Sequence, residues 1–198
     1  MLNTYNSLAI EEISEHPKLA YPDSNKLLSL EDPASLLMLD FNENRPLVID
    51  DQLNVDQAIF VMKSAHVSLK MVVNSNDELL GLITLKDLLG KKALAAAHEM
   101  GISRTDVKVK DIMQTLNKLA SLNYNRIKTA KIGDILKNFA DIGSEFILLT
   151  QHSKQGVCEI CGVISATEAA QRLNLPINHA LRARSFSEIV TAVNHHFD

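Results

Sequence analysis

Residues 55–89 read VDQAIFVMKSAHVSLKMVVNSNDELLGLITLKDLL, and residues 132–173 read IGDILKNFADIGSEFILLTQHSKQGVCEICGVISATEAAQRL. The two stretches share one pattern of apolar residues, which match at a constant offset through the first apolar run. After a turn that is four residues longer in the second copy, Gly81 matches Gly162. Extra length in a surface turn costs little free energy. The chain is therefore predicted to contain two divergent copies of one structural unit.

Each copy is predicted to fold as helix, strand, turn, strand and helix, because apolar residues at helical spacing lead into two apolar runs around a polar turn. The extended segments Arg45–Asp50 and Asn125–Lys131 are each predicted to add a strand to the sheet of their own copy. Between the copies, LLGKKALAAAHEM predicts a helix with Gly101 as its left-handed C-cap, and DPASLLML predicts a short helix with Pro33 in its first turn. The fold class is therefore α/β (α+β), with a small sheet and flanking helices in each unit.

Composition limits what this protein can do. A chain of 198 residues with 46% hydrophobic residues can bury a substantial core, and a net charge of −4 provides no broad positive field for nucleic acid. Neither an export signal nor an apolar stretch long enough to cross a bilayer is found in the sequence. Two cysteines without an export signal fit a reducing compartment. We therefore expect a cytoplasmic protein that binds neither nucleic acid nor membrane.

The end of each copy resembles the ligand motif of the CBS domain family. Gly81–Asp87 (GLITLKD) and Gly162–Glu168 (GVISATE) each contain a glycine, an apolar pair, a hydroxyl residue and an acid three positions later. Val109–Met113 (VKDIM) resembles the phrase that commonly opens a CBS domain. The resemblance covers about residues 33–175, and the whole chain is similar to stand-alone bacterial proteins that consist of a tandem CBS pair, or Bateman module.

The resemblance implies two domains that are related by a pseudo-twofold axis, packed sheet against sheet and usually assembled as a disc-like homodimer. The predicted organisation is a partly disordered N-terminal extension at residues 1–32, CBS domain 1 with the connecting helix at 33–105, CBS domain 2 at 106–175, and a tail with helical spacing at 176–198. The implied function is regulatory. AMP, ADP, ATP or S-adenosylmethionine would bind as a ligand in the cleft between the domains, with no required cofactor and an unknown downstream protein as the recipient of the signal.

Thr84, Lys86 and Asp87 are the predicted ligand residues of the first copy. Thr84 stands where a strand ends and a helix begins, so its hydroxyl suits a phosphate. The Asp87 carboxylate offers two acceptors for the hydroxyls of a ribose, and Lys86 can neutralise phosphate charge. Thr-x-x-Asp is also a capping-box sequence, which stabilises a helix without any ligand. Because aspartate reaches the N-cap amide less well than glutamate does, ligand binding is the favoured interpretation of Asp87.

Ser165 and Glu168 form the corresponding motif of the second copy, and a capping box is the favoured interpretation there. The longer Glu168 side chain departs from the family pattern and makes this a weaker candidate site. Further residues stand at positions that line the clefts in the family: Val48 and Ser68 in the first copy, and Lys128, Thr129 and Ser144 in the second. Ordinary strand and turn chemistry explains these five residues equally well.

The remaining cysteine, histidine and glycine patterns favour neither catalysis nor metal binding. Cys158 and Cys161 have the spacing of half a zinc site, but they lie three apart in a predicted strand and should therefore point to opposite faces. His66 is predicted to end the first helix at the position of Gly143 in the second copy. The sequence has no phosphate-binding glycine loop and no nucleophile elbow, so we expect no enzyme activity.

A ligand-free scaffold is the alternative function. The pair of units would then serve for dimerisation, and the terminal segments would recruit a partner protein. In the tail, four apolar residues follow a potential N-cap at Ser185 with helical spacing, as expected for a docking helix. They are Phe186, Ile189, Val190 and Val193.

Overall fold

A computed structural model describes residues 9–13, 15–18 and 28–173. The segment proposed as a docking helix, from Pro176 onward, lies outside the described residues. The described strands are β1 (Met38–Asp40), β2 (Val48–Asp50), β3 (Leu69–Val73), β4 (Leu79–Thr84), β5 (Gln114–Thr115), β6 (Ala120–Asn123), β7 (Phe146–His152) and β8 (Cys158–Ser165). They form two four-stranded sheets, one in the order β2-β3-β4-β5 and the other in the order β1-β8-β7-β6.

Helices flank both sheets. They are α1 (Val55–Ser64), α2 (Leu85–Leu89), α3 (Lys91–Met100), α4 (Val109–Ile112), α5 (Tyr124–Ile127), α6 (Ile132–Ile142) and α7 (Ala166–Arg172), with 3-10 turns at Ala34–Leu37, Arg104–Asp106 and Leu116–Lys118. The chain leaves α1 through His66 at a φ of 52° and leaves α6 through Gly143 at a φ of 67°. Gly101 ends α3 in the same left-handed conformation, with a φ of 65°. The predicted helix ends at these three residues are confirmed.

The two units repeat one topology. β2 runs parallel to β3 and β6 runs parallel to β7, while β3 pairs antiparallel with β4 and β7 pairs antiparallel with β8. Helices α1 and α6 connect the parallel strands, and α2 and α7 follow the hairpins. The predicted α/β fold with two related units is confirmed.

The fourth strand of each sheet is exchanged between the units. β1 precedes the first unit in sequence but pairs with β8 of the second sheet, and β5 precedes the second unit but pairs with β4 of the first sheet. Each of the ranges predicted from sequence, 33–105 and 106–175, therefore contains one strand that completes the sheet of the other unit. Neither sheet is complete without a strand from the opposite part of the chain.

The motif glycines make room for the exchanged strands. Gly81 lies opposite Thr115 of β5, and a Cβ atom at Gly81 would lie 2.0 Å from the carbonyl oxygen of Gln114. Gly162 lies opposite Asp40 of β1, and a Cβ atom there would lie 2.9 Å from the carbonyl oxygen of Leu39. The glycine that opens each ligand-like motif is thus required by the close approach of a neighbouring backbone.

Three apolar clusters hold the layers together. One lies between the first sheet and its helices and includes Met62, Ile83 and Leu88, and a second lies between the other sheet and its helices and includes Phe139. The third joins the two sheets through five buried residues: Met71, Leu82, Phe146, Leu148 and Val163. The expected sheet-against-sheet packing is therefore present. Leu28 is buried in the second cluster, so the end of the predicted N-terminal extension belongs to the folded core.

Two local predictions need correction. The strand predicted at Asn125–Lys131 is wrong, because Tyr124–Ile127 is helical and the strand of the second unit is β6, just before it. The helix begins there because the Asn123 side chain accepts a hydrogen bond of 3.0 Å from the backbone N–H of Asn125. The short helix predicted in DPASLLML is present as a 3-10 turn, with Pro33 at its N-cap instead of in its first turn.

Candidate functional site

The two strand-to-helix corners meet at the junction of the units. Thr84 ends β4 and caps α2, and Ser165 ends β8 and caps α7. Lys86 of the first corner forms an ion pair with Glu145, with 2.8 Å between Nζ and Oε1. The backbone carbonyl of Glu145 in turn accepts a 3.0 Å hydrogen bond from the N–H of Ala166 at the second corner. One side-chain contact therefore joins the two motif regions.

The Asp87 carboxylate is engaged within the chain. Its Oδ2 accepts hydrogen bonds from the Thr84 hydroxyl at 2.7 Å and from the Thr84 N–H at 3.3 Å, and Thr84 Oγ1 accepts the Asp87 N–H at 3.0 Å. Its Oδ1 lies 2.8 Å from the Nζ of Lys92, and the Asp87 side chain is 11% exposed. The first corner thus forms a complete capping box, although the sequence argument favoured ligand binding over capping there. The extended backbone of Thr84, with φ −110° and ψ 154°, places its amide within reach of the short aspartate.

The second corner forms half of a capping box. Ser165 Oγ accepts a 3.4 Å hydrogen bond from the backbone N–H of Glu168, while the Glu168 residue itself is exposed. The expectation that glutamate would close the box better than aspartate is therefore reversed in this structure. In α7 the N-cap hydroxyl forms the local contact, and the carboxylate extends into solvent.

Ser68 contacts the first corner through its backbone, whereas Val48 lies in β2 and contacts Lys70. The Ser68 carbonyl accepts a 2.9 Å hydrogen bond from the N–H of Leu85, the first residue of α2. Val48 is 47% exposed, and its carbonyl accepts a 3.2 Å hydrogen bond from the Nζ of Lys70, a lysine that is only 7% exposed. The side chain of Ser68 is available to a ligand, whereas the Val48 carbonyl is engaged by Lys70.

The residue that matches Ser68 in the second unit is Glu145. Ser68 and Glu145 occupy equivalent positions, because the carbonyl of each accepts a hydrogen bond from the N–H of the first residue of the helix that follows the hairpin. The cleft residue predicted at the start of this strand in the second copy is Ser144, one residue before Glu145. The constant offset of the apolar repeat already matches Ser68 with Glu145, so the signal was present in the sequence. Ser144 instead has a local role, since its Oγ donates a 2.8 Å hydrogen bond to the carbonyl of Phe146 and accepts a 3.2 Å hydrogen bond from the N–H of Phe146.

Lys128 and Thr129 do not lie in a leading strand. They follow helix α5, where Thr129 Oγ1 donates a 3.2 Å hydrogen bond to the carbonyl of Arg126. The Nζ of Lys128 lies 4.7 Å from the centre of the Tyr124 ring. These contacts are local to the turn, so the structure gives the two residues a turn role and not the strand position that was predicted.

A family model described as the CBS domain matches residues 40–93. This segment is therefore similar to a CBS domain. The second unit repeats its strand order and pairing, as in a tandem CBS pair. CBS-domain proteins are typically regulatory modules.

Solved structures similar to this chain include several CBS-domain proteins. An uncharacterized conserved protein from Pyrococcus horikoshii is 19% identical, with coverage of 79% of this chain and 97% of that chain and a TM-score of 0.49. A conserved CBS domain protein of Thermoplasma acidophilum is 12% identical, with coverage of 79% and 77% and a TM-score of 0.48. The protein CBSX2, solved in complex with AMP, is 16% identical, with coverage of 70% and 93% and a TM-score of 0.46. No curated protein matches the chain significantly in sequence.

A buried polar pair supports β1, the strand that precedes the first unit and pairs with β8 of the second sheet. The Tyr124 hydroxyl donates a 2.5 Å hydrogen bond to Asp40 Oδ2, and Asp40 Oδ1 accepts the backbone and side-chain N–H groups of Asn42, both at 2.9 Å. Burial raises the pKa of Asp40, but these hydrogen bonds and the charge of Lys128 together outweigh it and hold the pKa below its ordinary value. The hydrogen bond to Asp40, followed by burial, raises the pKa of Tyr124.

The two cysteines lie after the matched CBS domain, in β8, and they diverge as predicted. Cys158 is exposed, whereas Cys161 is buried and donates from Sγ to the carbonyl of Leu149 at 3.3 Å. Burial raises the pKa of the Cys161 thiol. Within the described ranges, no group of three or more His, Cys, Asp or Glu side chains is placed to hold a metal ion. No helix in residues 9–13, 15–18 or 28–173 has the length and apolar character needed to cross a bilayer.

Proposed function

We propose that this protein is a regulatory module that binds an adenosine-containing ligand between its two units, and that it catalyses no reaction. The ligand is AMP, ADP, ATP or S-adenosylmethionine, and Thr84 and Asp87 hold it with help from Lys86, Ser68 and Val48. The observation that carries the proposal is the meeting of the two motif corners across the Lys86–Glu145 contact. The Thr84 hydroxyl and the Asp87 carboxylate lie at this junction, and Ser68 beside them is exposed.

Ribose binding is an exchange of hydrogen-bond donors at Asp87. In the free protein its two oxygens take donors from Thr84 and Lys92. The two hydroxyls of a ribose can replace the Thr84 hydroxyl on Oδ2 and the Lys92 ammonium on Oδ1, so that neither oxygen is left without a partner. The freed Thr84 hydroxyl and Lys92 ammonium can then donate to a phosphate.

The second corner is the weaker part of the proposed site. Ser165 is engaged in capping α7 and Glu168 is exposed, while Ser144, Lys128 and Thr129 have local contacts. A ligand at this corner would lack the enclosed carboxylate that Asp87 provides. We therefore assign the main affinity to the first corner.

Asp87→Ala is expected to abolish the thermal stabilisation by the ligand. Ligand at about 100 times its dissociation constant adds about 2.7 kcal/mol to the free energy of unfolding, which raises the melting temperature by roughly 5 to 10 °C for a chain of this size. The measurement is a thermal-shift screen with AMP, ADP, ATP, S-adenosylmethionine and NAD, in which each variant is compared with its own ligand-free sample.

Two matched variants accompany this screen. Lys92→Ala removes the ion pair between Lys92 and Asp87, which Asp87→Ala also removes, but it retains the Asp87 carboxylate. The ligand should therefore still raise the melting temperature of Lys92→Ala. Glu168→Ala should also keep the shift. Loss of the shift in Glu168→Ala but not in Asp87→Ala would place the ligand at the second corner, and the absence of a shift with every ligand would favour the scaffold function.

We also propose that the protein is a cytoplasmic homodimer that passes its ligand state to a downstream protein. Any ligand-driven change requires different affinities for two conformations. Exposed apolar side chains favour association with a second copy: Phe60 of α1 is 72% exposed, and Leu94 of α3 is 57% exposed. Dimerisation would also serve the alternative function, a ligand-free scaffold that recruits its partner through the terminal segments.

Phe60→Glu is expected to shift the protein from dimer to monomer, because a buried unpaired carboxylate would be costly in the interface. Sedimentation velocity at a series of protein concentrations measures this change. Gln155→Glu adds the same charge in an exposed turn and should leave the dimer intact. An unchanged dimer in Phe60→Glu would remove α1 from the interface.

A further inference from the structure

Lys86 precedes Asp87 in the sequence, and a carboxylate of the other unit forms an ion pair with it. Its Nζ lies 2.8 Å from Glu145 Oε1, with side chains that are 72% and 51% exposed. Lys86 lies in the first turn of α2, and Glu145 lies one residue before β7. The pair therefore crosses the junction in which the proposed ligand lies.

The first corner is electrically balanced. Asp87 is paired with Lys92 at 2.8 Å, and Lys86 is paired with Glu145 at the same distance. Two carboxylates and two ammonium groups thus stand at one strand-to-helix corner. A ligand phosphate that binds Lys86 would have to displace Glu145 and would then lie close to the displaced carboxylate. An uncharged or cationic group would meet neither obstacle.

The fold does not require a carboxylate at this position. Ser68 occupies the same place in the first unit and makes the same carbonyl hydrogen bond to the following helix. The side chain of Glu145 instead reaches across the junction to Lys86. The Glu145 side chain therefore places a negative charge at the junction in which the proposed ligand lies.

From this arrangement we infer that Glu145 sets the charge preference of the cleft, favouring adenosyl ligands without phosphate groups, such as adenosine or S-adenosylmethionine, over AMP, ADP and ATP. The inference rests on the proposed function and names the ligand class of that same site. Competition with an exposed ion pair weakens binding by about two- to five-fold for each displaced contact. The effect grows with the number of phosphate charges and falls at high salt.

Glu145→Gln tests this inference by isothermal titration of the full chain with adenosine, AMP, ATP and S-adenosylmethionine at low ionic strength. The substitution should tighten AMP binding by about two- to five-fold and tighten ATP binding further, while adenosine binding should change less than about two-fold. S-adenosylmethionine, whose sulfonium and amino groups carry positive charge, should bind more weakly to the variant. Raising the salt concentration should bring the wild-type and variant affinities for AMP together.

Control variants separate the local effect from the loss of one charge. Glu159→Gln removes a carboxylate from an exposed position of β8 and should leave all affinities unchanged. Glu145→Ser installs the residue of the first unit and should behave like Glu145→Gln even if the glutamine variant folds poorly. An equal ratio of AMP to adenosine affinity in the wild type and in both Glu145 variants would overturn the inference while leaving the proposed function intact. Binding of none of the four ligands to any variant would overturn both.

Discussion

Gly81→Ala is expected to lower the free energy of unfolding by about 3 kcal/mol or more, or to prevent folding. The added Cβ atom would lie 2.0 Å from the backbone oxygen of Gln114, which is far inside van der Waals contact. Since the obstructing atom belongs to a backbone and not to a flexible side chain, β5 would have to separate from β4. Overpacking alone typically costs about 1 to 3 kcal/mol, and here the hydrogen bonds of an edge strand are lost as well. Urea unfolding followed by circular dichroism measures the change.

Alanine substitutions at two other glycines serve as comparisons for Gly81→Ala. Gly162→Ala should cost less than Gly81→Ala, because its Cβ atom would lie 2.9 Å from the Leu39 oxygen instead of 2.0 Å from a backbone oxygen. Gly133→Ala, in α6, should raise stability by about 0.5 to 1 kcal/mol, since alanine favours a helix and the nearest contacts lie at 3.5 and 3.6 Å. If Gly81→Ala did not lower the free energy of unfolding, β5 could not lie as close to Gly81 as the structure places it.

The main elements of this fold could be predicted from the sequence because their signals are local. The helices α1 and α6 bury one face at helical spacing, and the hairpins β3–β4 and β7–β8 bury continuous apolar runs around polar turns. Left-handed helix ends at Gly101 and Gly143 follow from the conformational freedom of glycine. The two predicted strands in the leading segments gave different outcomes: β2 lies within its predicted range, whereas Asn123 caps a helix where the second strand was expected.

The exchange of edge strands could not be predicted. β1 has three residues and β5 has two, which is too short for any periodicity to identify a strand. Their partners are also distant in sequence, as Leu39 pairs with Val163 and Gln114 pairs with Leu82. Gly81 and Gly162 are a local sign of the exchange, because a buried glycine in a strand often marks the close approach of another backbone.

The candidate site was predicted in part. The sequence identified Thr84 and Asp87 correctly as neighbours at a strand-to-helix corner, but it did not identify the charged groups that pair with Asp87 and Lys86. Lys92 reaches Asp87 from the next helix, beyond the break at Gly90, and Glu145 reaches Lys86 from the other unit. Such contacts depend on how helices and units are placed in space, and spacing along the chain does not specify that placement.

Tyr124→Phe is expected to lower the free energy of unfolding by about 1 to 3 kcal/mol at neutral pH, the usual cost of leaving a buried polar group without its partner. The substitution removes the 2.5 Å hydrogen bond to Asp40 and leaves that carboxylate, which is only 6% exposed, with the two donors of Asn42. Asp40 belongs to β1, so the loss weakens the strand that completes the second sheet. Urea unfolding of both proteins at neutral pH provides the comparison.

The cost of Tyr124→Phe should depend on pH with a definite sign. The folded pKa of Asp40 lies below its ordinary value, so its ionised form stabilises the fold above the unfolded pKa of about 3.9, and this contribution is lost as the pH falls through the folded pKa. Without the tyrosine hydroxyl the folded pKa rises, because one hydrogen bond to the ionised form is gone. The stability difference between wild type and variant should therefore narrow on acidification below about pH 4. A difference that stays constant from neutral to acid pH would mean that Tyr124 acts through packing alone, and that the Asp40 charge does not help to hold the exchanged strand in place.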